Sequence, residues 1–214
     1  MAFTQEEIID IYKKRAKNFD MTSKFYKLVG FNDEKYRKKT VEYLELSEND
    51  TIVEIGCGTG LNFPILLNKI GKDGKIIGLD ISVDMLAEAT KKIKIFNWDN
   101  VSVYEQNAME FDYKNVSGVV STLAFTLIPE YEELIIKISK ELPKNKKFVI
   151  MDLKLSKNLP FWMMKLLVVF ARPFGVTLDL ANKKPYESMQ KHFDNIKMEE
   201  YFFGILYICT AWNE

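Results

Sequence analysis

The chain has 214 residues, 47% of them hydrophobic and 28% charged, which is enough apolar material for one well-buried domain and too much for a disordered segment. Thirty lysines and arginines balance thirty aspartates and glutamates, so no net field steers the molecule toward nucleic acid and no nucleic-acid partner is expected. Two cysteines far apart, Cys57 and Cys209, exclude a disulfide framework or a paired-thiolate metal motif and point to a reducing compartment.

The opening MAFTQEEIIDIYKKR lacks the charged front and continuous apolar run of a signal peptide, and predicts a protein kept in the cytoplasm. Thr4 with Glu7 forms a capping box, and Ile8, Ile9, Ile11 and Tyr12 give the helix that follows an apolar face. A second helix is predicted over Asp33–Leu44. Its KYRKK run at 35–39, like KNKK at 144–147, reads as a solvated face. From Thr51 the pattern changes to short apolar runs alternating with helical periodicity. TIVEIG precedes a glycine-rich turn and a helix starting near Leu61; KIIGLD precedes a helix from Ser82 to about Phe96; VSVYEQ and then GVVSTLAF follow as strands. Such alternation is the signature of βαβ units and a parallel sheet. A helix opened by Pro129 and closed by Pro143 carries Tyr131, Leu134, Ile135, Ile138 and Leu142 at helical spacing, with Glu130, Glu132 and Glu133 in its first turn. KFVIMDLKL is a further strand, and IKMEEYFFGILYICTAW reads as two strands joined tightly around Gly204. The expected fold is α/β: a doubly wound, Rossmann-like, seven-stranded, mostly parallel sheet with a C-terminal antiparallel hairpin and helices on both faces.

Residues 53–60 read VEIGCGTG, with Gly56, Gly58 and Gly60 between a strand and a helix. Glycines there let the backbone turn sharply and a ligand approach closer than a Cβ permits. Twenty residues past Gly60, at the end of the next strand, stands Asp80, placed to accept hydrogen bonds from both hydroxyls of a ribose. Together they point to an adenosine-bearing ligand. The dinucleotide fingerprint wants its third glycine where Leu61 stands. The loop is neutral and preceded by Glu54, which repels phosphate and suits a ligand with a positive charge.

VEIGCGTG followed by GLDISVDMLAEATKK resembles the first two motifs of the class I S-adenosylmethionine-dependent methyltransferases, over roughly residues 45–155. Within that group the chain is most similar to the branch of quinone-biosynthesis C-methyltransferases and phosphatidylethanolamine N-methyltransferases. Tyr12, Ala16, Phe19 and Asp20 resemble the lead-in such proteins carry. The resemblance implies that Glu54 and the loop Gly56, Cys57, Gly58 and Gly60 cradle the methionine end of S-adenosylmethionine, that Asp80 holds the ribose and that Ile81 packs on the adenine. Asn107 and Ala108 would face the adenine amino group, the backbone from Ser121 to Leu123 would line the methionine side, and Tyr12 would join from the lead-in. It further implies one domain over 1–214: a helical cap (1–46), a cofactor-binding core (47–155), an acceptor-side insertion (156–192) and the terminal hairpin (193–214). The implied reaction is methylation of a small, lipophilic acceptor, quinone-, lipid- or amine-like, releasing S-adenosylhomocysteine. The rival readings are an NAD-dependent oxidoreductase, a non-catalytic adenosyl-ligand binding protein and an accessory subunit of a methyltransferase.

Methyl transfer from a sulfonium is an in-line displacement that needs alignment and dehydration more than a dedicated nucleophile. One histidine, His192, leaves no second imidazole for a zinc site and no convincing triad, so no metal is expected. His192 is a candidate catalytic base against the plainer reading of a half-exposed histidine near a helix end. The segment 159–178, LPFWMMKLLVVFARPFGVTL, is dense in apolar residues but broken by Lys165, Arg172 and two prolines, so it does not span a bilayer. Core helix, lid over a greasy acceptor and peripheral membrane contact are its three readings.

Overall fold

The structure, a computed structural model, describes residues 7, 10, 13, 16–18, 20, 32–156, 158–160, 163 and 183–214. Of the helix expected after Thr4 only residues 7, 10 and 13 are described, all helical, while Tyr12 and nearly all of 159–178 lie outside the described residues. Seven strands are present among those described: β1 (Thr51–Ile55), β2 (Lys75–Asp80), β3 (Val101–Glu105), β4 (Gly118–Thr122), β5 (Lys147–Leu153), β6 (Asn195–Tyr201) and β7 (Leu206–Trp212). They form one sheet in the order β3-β2-β1-β4-β5-β7-β6. As the sequence predicts, the first five strands pair in parallel and the C-terminal hairpin is antiparallel; its second strand, β7, is the one that pairs with β5, leaving β6 at the edge.

Burial on both faces follows from the period of two along each strand. Val53, Ile55, Phe148 and Ile150 point to one side, where α4 (Tyr131–Glu141) and α5 (Pro185–His192) lay Leu134, Ile135, Ile138 and Met189 against them. Ile52, Val149 and Met151 point to the other, covered by α1 (Asp33–Glu42), α2 (Phe63–Ile70) and α3 (Val83–Phe96) through Val41, Phe63, Leu66, Leu86 and Ala89. Helix ends follow local chemistry. Pro64 stands in the first turn of α2 and Gly71 ends it at φ 73°, while Asn97 closes α3 in the left-handed region.

Two boundaries differ from expectation. The helix after the glycine loop starts at Phe63 rather than near Leu61, because Gly60 at φ +76° is still part of the turn. The strand read over GVVSTLAF stops at Thr122, and Phe125–Leu127 form a single 3₁₀ turn. Leu123 there adopts φ 57°, a left-handed conformation that no strand continues through.

Phe148 is fully buried, 5.5 Å from the Phe125 ring and 6.0 Å from the Phe193 ring. Phe148→Ala is expected to destabilise the fold by about 3–5 kcal/mol in urea unfolding. A loss below about 1 kcal/mol would show that this side of the sheet closes around the cavity.

Candidate functional site

Consecutive connections leave β1 toward β2 on one side and β4 toward β5 on the other, so a crevice opens at the carboxyl ends of β1 and β4, where open α/β sheets hold ligands. The loop after β1 forms its floor. Gly56 N and Cys57 N donate to Leu79 O at 2.8 and 3.1 Å, and Gly60 N donates to Cys57 O at 2.9 Å. These bonds fold the loop back over the end of β2. A Cβ on Gly56 would sit 2.4 Å from Ala124 Cβ, and the residue has φ +66°; both make glycine necessary there.

Asp80 ends β2 under the loop. Its Oδ2 accepts from Gly58 N at 2.8 Å and its Oδ1 from Ser82 N at 2.9 Å, so one carboxylate ties the loop to the entry of α3. Burial raises its pKa, while those backbone donors pull it back. Each oxygen keeps lone-pair capacity for a further donor from the cavity.

The cavity is lined by the predicted Gly56, Cys57, Gly58, Asp80, Ile81, Asn107 and Ala108. Asn107 Oδ1 accepts from Met109 N at 2.9 Å, which caps the turn Ala108–Glu110. Three predicted residues stand behind the lining. Gly60 packs on the ring of Phe63. Ser121 is buried and its hydroxyl has no partner among the described residues. Glu54 lies one layer beneath the loop, 1% exposed. His192 is exposed at the end of α5 and does not line the cavity; the structure does not bring it to the other candidates. Cys57 is a buried filler, with its thiol pushed well up by burial. A Cβ on Gly78 would lie 2.8 Å from its sulfur, so Gly78 makes the room that Cys57 occupies.

Sequence reasoning missed the polar system beneath this floor. Arg37, inside the run read as a solvated face, is 7% exposed and lines the cavity. It donates to Asp33 Oδ2 at 3.3 Å, Asn62 Oδ1 at 3.2 Å and Thr122 Oγ1 at 2.6 Å. Asn62 Nδ2 donates onward to Glu54 Oε1 at 2.7 Å and Thr122 Oγ1 at 3.0 Å. Glu54 Oε2 has no partner among the described residues. Burial pushes the Glu54 carboxyl up to about 8, aided by the Asp80 charge and opposed by the Arg37 guanidinium and the Asn62 amide. Only the turn-by-turn period of α1, placing Arg37 with Asp33, Thr40 and Val41 on its buried side, could have signalled this. Above the floor, Thr59 Oγ1 donates to Asp20 Oδ1 at 2.6 Å, Asp20 pairs with Lys92, and Lys92 Nζ donates to Thr59 O at 2.8 Å. The lead-in acid is thereby tied to the glycine loop and to α3.

The donor set fits an adenosyl sulfonium amino acid. Asp80 offers acceptors for a diol, Glu54 holds an oxygen without a partner among the described residues near the loop, and Arg37 is the one cation among the described lining residues. Leu61, where a dinucleotide site has its third glycine, lines the cavity with a side chain. No group of three or more His, Cys, Asp or Glu side chains able to hold a metal occurs among the described residues.

A family model described as a methyltransferase domain matches residues 46–200. The demethylmenaquinone methyltransferase of Alkalihalophilus pseudofirmus is 27% identical over 185 residues, covering 82% of this chain and 77% of that protein. Its counterpart in Bacillus mycoides is 24% identical over 151 residues, covering 69% of this chain and 62% of that protein. The chain thus spans between about three fifths and three quarters of these relatives' lengths. Among solved structures, the geranyl diphosphate C-methyltransferase of Streptomyces coelicolor A3(2), in complex with Mg2+, geranyl diphosphate and S-adenosyl-L-homocysteine, superposes with a TM-score of 0.64 at 12% identity, covering 85% of this chain and 79% of that one. That likeness shows the fold.

Glu54 yields a pH signature. A carboxyl raised from 4.5 to about 8 binds more protons folded than unfolded, so its contribution to stability falls as pH rises through that window. The melting temperature of the ligand-free protein is expected to drop between those limits, and Glu54→Gln to flatten the upper part of the drop. Parallel melting curves for the two proteins would contradict the assignment of a protonated Glu54.

Proposed function

Because the chain belongs to the methyltransferase family defined by this domain, we propose that its crevice binds S-adenosylmethionine and that it methylates a small, lipophilic, quinone-like acceptor. The observation that carries the reading is the Asp80 carboxylate held under the glycine loop by Gly58 N and Ser82 N, beside a floor that admits backbone approach only through Gly56. The cofactor, when bound, supplies an electrophilic methyl on a sulfonium with a neutral thioether as leaving group.

The residues of this chain supply binding and alignment. Asp80 receives the ribose hydroxyls. Ile81 and Met85 offer an apolar surface to the adenine, and Asn107 with Ala108 offers polar backbone and side-chain groups at its edge. Arg37 faces the amino-acid carboxylate, while the Glu54 carboxyl, ionising beside a new positive charge, answers the ammonium and the sulfonium. Leu123, Leu127, Ile128 and Pro129 make the facing wall apolar. That wall excludes water and suits a greasy acceptor brought close to the methyl. The relatives named for demethylmenaquinone support the same acceptor class. Residues 159–178, in the sequence between this wall and α5, are the segment we assign to acceptor or membrane contact, in a protein working in the cytoplasm. No described helix is long and apolar enough to cross a membrane.

Calorimetric titration with S-adenosylmethionine, S-adenosylhomocysteine and NAD tests the reading. The two adenosyl compounds are expected to bind and NAD is not. Asp80→Asn is expected to weaken S-adenosylhomocysteine by roughly 10- to 100-fold, the worth of charge-assisted hydrogen bonds. Binding of NAD alone, or unchanged affinity in the variant, would overturn the site. A panel of demethylated quinols, phenols and amines with labelled cofactor then identifies the acceptor; transfer to amines alone would overturn the quinone-like class.

A further inference from the structure

We propose that Asp152 is a positioning residue for the cofactor cavity: through Thr126 it holds the connection from β4 to α4 in the shape that forms the cavity's apolar wall. The proposal rests on the cofactor reading above and deepens it. Asp152 stands near the carboxyl end of β5, 2% exposed, and does not itself line the cavity. Its Oδ2 accepts from Thr126 N at 2.8 Å; its Oδ1 accepts from Thr126 Oγ1 at 2.9 Å and Leu153 N at 2.8 Å.

Thr126 sits in the middle of the connection that carries Leu123, Ala124, Leu127, Ile128, Pro129 and Glu130 to the cavity. That connection needs holding. Leu123 has φ 57°, a conformation that costs a branched side chain free energy and persists only where surroundings impose it. Ala124 is pressed against Gly56 so closely that no Cβ fits between them. Leu123 N bonds to Met151 O at 2.7 Å, and one residue further along β5 Asp152 takes the other end of the turn.

A carboxylate is an expensive residue for this place. Its neighbours along the strand, Ile150, Met151 and Leu153, are apolar, and a buried charge is a poor source of stability compared with a packed apolar side chain. Burial pushes the Asp152 carboxyl up to about 6, with the donors of Thr126, Leu153 and Phe125 pulling it back. Tyr207, paired opposite it on β7, is fully buried with its hydroxyl unpartnered among the described residues. The carboxylate is thus committed to the wall and not to its cross-strand neighbour.

The test measures the affinity of the full chain for S-adenosylhomocysteine by calorimetry, with the melting temperature taken in parallel. Thr126→Val keeps the shape and removes the hydroxyl donor; Asp152→Asn keeps the shape and turns an amide against a backbone N–H; Thr126→Ser keeps the donor. Thr126→Val and Asp152→Asn are each expected to weaken binding by about tenfold, Thr126→Ser to stay within about twofold, and the double variant to be no weaker than Asp152→Asn alone. Wild-type affinity in Thr126→Val, whatever its melting temperature, would reduce Asp152 to a structural residue and overturn the proposal, and so would a Thr126→Ser as weak as Thr126→Val. Should Asp152→Asn not fold, the threonine pair decides. A wild-type protein that ignores S-adenosylhomocysteine would instead overturn the cofactor reading.

Discussion

Gly56 and Ala124 meet where the chain leaves β1 in one direction and β4 in the other, and the separation of those two connections sets the width of the crevice. With no Cβ on Gly56, the loop after β1 lies flat against the start of the β4 connection. The flat loop brings Gly58 N over Asp80, and Asp80 in turn reaches Ser82 at the entrance of α3. Floor, acid and helix entry are therefore one assembly, fixed by a single absence of side chain. Any residue with a Cβ at position 56 would push the β4 connection outward and lift the loop from the carboxylate at the same time.

Beneath that assembly runs a continuous polar chain through an otherwise apolar layer: Asp33, Arg37, Asn62 and Glu54, with Thr122 bridging. Its five members come from four places: Asp33 and Arg37 from α1, Asn62 from the entrance of α2, and Glu54 and Thr122 from the ends of β1 and β4. Half-satisfied buried polar groups are costly, and here the shortfall is concentrated at one oxygen of Glu54. That oxygen lies directly beneath the glycine loop that floors the crevice.

The strands, the glycine loop and Asp80 were legible because their signals are local: apolar runs of strand length, a G-x-G-x-G turn, and an acid at the next strand end. The mostly parallel sheet and its antiparallel end followed from the alternation of elements and the hairpin around Gly204, whereas the insertion of β7 between β5 and β6 had no local signal. Arg37 and Asp152 were not legible. Arg37 sits among lysines that do face solvent, Lys35 and Lys38, and sequence charge cannot say which member of a cluster turns inward when the period of the helix is masked by its neighbours. Asp152 lies in an apolar strand with no motif, and its partner Thr126 is 26 residues away; only the fold joins them. GVVSTLAF read as one strand for the same reason, since the left-handed Leu123 has no residue signature. His192 looked attractive because it is the chain's one imidazole, but rarity carries no information about position.

The seat of Cys57 has a practical meaning. Its sulfur is tucked against the bare backbone of Gly78 and held far from the thiolate form, so the two positions share one notch, and a larger residue at either would force the loop and β2 apart.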